Sequence, residues 1–133
     1  MMNVKAIWAK HVEPSHLDWT YRLLESLYTE PHRAYHTLTH VRYCLELLDN
    51  ARGATLDANH DAVELGLLWH DAVYVPGDKR NEALSANLFD GLNPVLVGST
   101  GKRELARTAI LDTPSDEQLE EGLRWALQGQ TGA

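Results

Sequence analysis

Cysteine is nearly missing: Cys44 stands alone in 133 residues. An intrachain disulfide is therefore excluded, and a lone cysteine in an apolar stripe reads as a small core residue. No apolar run approaches the roughly 20 residues that cross a bilayer. Met1 to Lys10 is interrupted by Lys5 and Lys10 and makes no signal-peptide core, so the expected setting is cytoplasmic, with no membrane partner. Runs of Lys or Arg are missing too, and the net charge is -7. That excludes electrostatic wrapping of a nucleic-acid backbone. It leaves a small phosphorylated ligand open, because one bound cation outweighs the surrounding field locally. Internal repeats, low-complexity segments and sustained period-two alternation are all lacking.

What is present is ordinary globular composition, 44% hydrophobic and 23% charged. One domain over residues 1–133 is expected, and a chain of this size buries roughly two-thirds of its unfolded surface. The first helix signal opens at Ser15, and Leu17, Tyr21, Leu24 and Tyr28 mark its buried face until Pro31 ends it. A second helix starts near Thr37 or Thr39, carries Val41, Cys44, Leu45 and Leu48, and closes at Gly53. A third runs from about Leu56 to Val73, before a turn at Val75-Pro76-Gly77-Asp78. Two more span about Lys79–Phe89 and Gly101–Leu111. Ser115 and Gln118 then fit a capping box for a last helix carrying Leu119, Leu123 and Ala126, with a frayed tail from Gln128. The fold class is all-α, with five to seven helices.

Seven histidines exceed what packing needs. His36 and His40 lie four apart across a helix start and share a side if that turn is helical. His70 and Asp71 are adjacent at a helix end, so both reach one ion only if it lies between them. The partner imidazole comes from a neighbouring helix, and His40 is placed to supply it. Imidazole with carboxylate suits Zn²⁺, Fe²⁺, Mn²⁺, Co²⁺ or Ni²⁺. Open coordination positions admit water, which the ion converts to a nucleophile near neutral pH. The bland alternative is a core histidine bonded to a helix carbonyl.

Three stretches carry a resemblance: Pro31-His32-Arg33-Ala34-Tyr35-His36-Thr37-Leu38-Thr39-His40-Val41, Leu68-Trp69-His70-Asp71-Ala72-Val73-Tyr74, and Asn81-Glu82-Ala83-Leu84-Ser85-Ala86. In this order and spacing they resemble the predicted metal-dependent HD-superfamily phosphohydrolases. The resemblance implies a compact HD-like helical bundle and a divalent metal cofactor, Mg²⁺ also being among the candidates. It implies His40, His70 and Asp71 as ligands, completed by a distal aspartate. Asp112 is the nearest candidate for that aspartate, with Asp116 behind it; the C-terminal part is expected to be shortened relative to the family.

Around that set, His36 is a ligand to a second ion, a proton donor to a leaving group, or a helix cap. Arg33 is a candidate for the substrate phosphate, against a surface salt bridge. Asn81 is placed with it as substrate-binding. Glu82 either orients the attacking water or favours a helix dipole. The implied activity is metal-dependent hydrolysis of a small phosphorylated metabolite or nucleotide, with Asp71, His36 and Glu82 as catalytic residues. The alternative is a catalytically degenerate HD domain serving as a metal-, ligand- or protein-binding module. Self-association is expected if the last helix leaves an apolar face open.

Overall fold

The structure, a computed structural model, describes residues 2–33, 36–50 and 57–112. Within them lie six α-helices: α1 (Val4–Ala9), α2 (Leu17–Tyr28), α3 (Leu38–Asn50), α4 (Asp57–Trp69), α5 (Asn81–Gly91) and α6 (Thr100–Asp112). Single 3-10 turns occupy Pro14–His16 and Asn93–Val95. No strand occurs among the described residues, and the all-α expectation is met. An isolated antiparallel bridge links Val12 to Leu96, through Glu13 N to Val95 O at 2.8 Å and Val97 N to His11 O at 3.0 Å. The expected helix from Ser115 and the expected stop at Gly53 lie outside the described residues. No helix among the described residues is long and apolar enough to cross a membrane.

α1 is a helix that periodicity does not reveal, because six residues hold too few turns to show a stripe. Asn3 caps it by accepting from Ala6 N at 3.1 Å, and Val4, Ile7 and Trp8 turn inward. The stripe on α2 is Thr20, Leu24 and Tyr28; Leu17 and Tyr21 pack at its edge. Trp8 locks α1 to α2 by donating Nε1–H to Thr20 Oγ1 at 2.8 Å. It also meets Trp69 edge-to-face, with centroids 5.2 Å apart at 71°.

α4 is the enclosed helix. Ala62, Leu65, Leu67, Leu68 and Trp69 are all buried, so its second half faces protein on every side rather than along one stripe. Gly66 allows the close approach of α6: a Cβ there would stand 3.1 Å from the Ala106 carbonyl oxygen and 3.2 Å from Ala109 Cβ.

Burial on all sides also encloses polar groups. Glu64 on α4 takes His11 Nε2 at 2.7 Å and Lys10 Nζ at 2.8 Å on the same oxygen, tying the segment after α1 to the centre of the bundle. Burial pushes the Glu64 carboxyl up, but the hydrogen bonds from His11 and Lys10 outweigh it and hold the group below its ordinary 4.5. A carboxyl depressed in the folded state stabilises above its unfolded value and loses that contribution as pH falls through the folded value. Replacing Glu64 by Ala leaves a buried imidazole without its anion, and unfolding by denaturant should show a loss of about 3 kcal/mol at neutral pH. Glu64→Gln should be less stable than wild type at neutral pH and converge with it in acid below 4.5. A gap that stays constant across that range would contradict this assignment.

Candidate metal centre

α4 ends at Trp69, not near Val73 as its pattern predicts, and His70 and Asp71 sit in the turn that follows. The helical divergence expected of adjacent residues therefore does not govern this pair. Nothing in the local sequence before Pro76 breaks a helix; side chains from elsewhere capture the backbone instead. Asp71 N donates to the Tyr28 hydroxyl at 3.1 Å. Arg33 donates to the carbonyls of Asp71 at 2.7 Å and Ala72 at 2.8 Å. Ser85 Oγ accepts from Val73 N at 3.0 Å and donates to Val73 O at 3.2 Å. His32 Nε2 donates to Tyr74 O at 2.8 Å. Asn81 closes both polar groups of Val75, each at 3.0 Å. The loop then turns at Gly77, whose φ of 78° suits glycine. Arg80 beyond it holds the Asp78 carboxyl down to about 2.

Held this way, the turn meets α3. One ligand-type atom each from His40, His70 and Asp71 lies within 4.8 Å of the other two. Both imidazoles are buried, and their ring centroids are 6.4 Å apart. His70 donates Nδ1–H to the Leu67 carbonyl at 2.7 Å, which fixes ring and tautomer and turns Nε2 toward Asp71 Oδ2 at 3.2 Å. In neutral His70 that nitrogen carries a lone pair, which suits it to a cation shared with the carboxylate. The donor chemistry, two buried imidazoles and a half-buried carboxylate, fits a divalent transition ion. Cys44, buried as expected, places Sγ 3.5 Å from His40 Nε2.

His36 lies two residues before α3 begins at Leu38, so it does not share a helical face with His40. Its Nδ1 stands 2.9 Å from Asp71 Oδ2, its ring packs on Tyr74 at 4.1 Å, and its side chain keeps 24% exposure. Asp71 Oδ2 is thus shared between a buried and a half-open histidine.

Arg33 is buried, not a surface residue. Its Nε and Nη2 meet Glu30 at 3.0 Å each and its Nη1 also donates to His36 O at 2.9 Å. All five guanidinium N–H donors therefore have protein acceptors, and the substrate-phosphate role expected of Arg33 has no donor left to carry it. Asn81 is likewise engaged with Val75 rather than facing the cluster. Glu82 is exposed in the first turn of α5 and makes no hydrogen bond or ion pair among the described residues, the placement a carboxylate takes at a helix N-terminus. The backbone of Asp112 ends α6; its side chain, and Asp116 entirely, lie outside the described residues.

Tyr28, His32 and Ser85 act on the site without having been singled out by sequence. Tyr28 registers only as part of a core stripe, and a hydroxyl's long-range partner leaves no mark on periodicity. Ser85 lay inside a motif whose reason is now visible: Asn81 and Ser85, one turn apart, grip alternate residues of the facing loop. Comparisons with protein-family models, with curated proteins and with solved structures return no match.

Ser85→Ala strands the amide and carbonyl of Val73 and should cost about 1–3 kcal/mol. Hydrogen exchange at the Val73 amide should quicken in step. Wild-type stability with unchanged exchange there would show the turn is held by something else.

Proposed function

We propose that the chain is an HD-type metal-dependent phosphohydrolase acting on a small phosphorylated metabolite or nucleotide. One observation carries the reading: two buried imidazoles from distant parts of the chain converge with one carboxylate, and a half-open histidine lies against that same carboxylate. A divalent ion held there supplies an activated water and stabilises charge on phosphoryl oxygens.

The chain's own residues divide the remaining work. His70 is oriented by Leu67 O, so it presents Nε2. Asp71 anchors Nδ1 of His36, and His36 is assigned the transfer of a proton to a leaving-group oxygen. Asp112 is assigned the fourth ligand position. The close packing of Gly66 against Ala106 and Ala109 supports this, because α6 then lies alongside α4, the helix that leads into His70.

One observation favours a second reading, a non-catalytic metal- or ligand-binding module. Arg33 is fully engaged, so the cation expected to grip phosphate is not available for it. The two readings part in a simple assay. Protein purified without a histidine tag should contain a stoichiometric divalent metal. It should hydrolyse a generic phosphoester in Mn²⁺ or Co²⁺, and Asp71→Ala should lower both metal affinity and turnover by about a hundredfold or more. Tight metal binding with no turnover across a nucleotide panel would select the binding module, and no metal at all would end the phosphohydrolase reading.

A further inference from the structure

We infer that Arg33 is a positioning residue that assembles the candidate metal centre before any ion arrives, which rests on the metal reading above. The two segments that must meet are far apart in sequence: one leads into α3 and carries His36 and His40, the other follows α4 and carries His70 and Asp71. A single guanidinium spans them. Nη1 alone donates to a carbonyl of each, His36 O and Asp71 O, while Nη2 reaches Ala72 O. The Arg33 side chain is 0% exposed, so its charge needs a neighbouring anion, and Glu30 supplies it.

The plane of the guanidinium is fixed as well. It lies over the Tyr28 ring at 5.0 Å and the Tyr74 ring at 5.8 Å. Those two rings are themselves parts of the site: the Tyr28 hydroxyl accepts from Asp71 N, and Tyr74 packs on His36. Arg33 therefore sets the spacing between Asp71 and His36 from behind, by holding their carbonyls, while their side chains meet in front at 2.9 Å. Lysine cannot replace it. An ammonium is a compact point charge with three donors, and it neither forks across two segments nor stacks between two rings.

The test compares wild type, Arg33→Lys and, in case that variant does not fold, Glu30→Gln, which keeps an acceptor oxygen for the guanidinium but removes its counter-charge. Zn²⁺ and Co²⁺ affinities are measured by chelator competition, beside thermal unfolding and amide exchange. Arg33→Lys should unfold cooperatively yet bind metal about 10–100-fold more weakly, with faster exchange at the Asp71 amide and a shifted His36 ring resonance. Glu30→Gln should change the same readouts in the same direction by a smaller factor. Metal affinity unchanged in both variants, with only inorganic phosphate binding weakened, would overturn the inference and restore Arg33 as a ligand for substrate. If wild type binds no ion, the metal reading fails by itself. The Asp71 exchange and His36 resonance then decide whether Arg33 positions these residues, and no change in either would reject it.

Discussion

Residues Asp71 to Val75 leave a helix without entering another, so their amides and carbonyls have no ladder of their own. Where such groups are drawn out of water, as at Ala72, they must be paired or they cost free energy comparable to a lost hydrogen bond. Here side chains do the pairing, from the end of α2, from the segment before α3 and from α5. The turn is held at each residue in succession by Tyr28, Arg33, Ser85, His32 and Asn81. Every other feature of the candidate site follows from this. The turn aims His70 and Asp71 outward from α4, and the same anchors draw His36 against Asp71.

The bundle's core serves this arrangement from below. Trp69, the last helical residue before the turn, packs on Trp8, and α4 is enclosed by its neighbours. A rigid, desolvated base under a hydrogen-bonded turn is the architecture that keeps ligand atoms at fixed separations. The polar cluster at Glu64, midway along the helix, is a separate matter. There, buried charge ties the N-terminal segment in and takes no part in the site.

Much of the fold was legible because most helices announce themselves. The stripes on α2 and α3 and the prolines between elements place four helices within a few residues of where they lie. Two failures have physical causes. α1 is too short for periodicity, although Asn3 ahead of it is a readable cap. The end of α4 was misplaced because the signals that stop it are tertiary: Tyr28 and Arg33 are some forty residues upstream, and a sequence window does not see them. In the site, the residue types and spacing brought together His40, His70 and Asp71. What they could not separate was contact with a substrate from contact with the chain itself. Arg33 and Asn81 carry the donors that a phosphate would want, and both are turned inward on carbonyls.

The seat of Gly66 on α6 has a reach beyond packing. A methyl group there would press on the Ala106 carbonyl oxygen at 3.1 Å, so glycine sets how closely α4 seats on α6. His70 begins one helical turn later, roughly 6 Å on at 1.5 Å per residue, and its ring is fastened to that last turn through Leu67. A hydrogen atom in place of a side chain at position 66 thus acts as the zero mark of a ruler, and the imidazole reads its position from it.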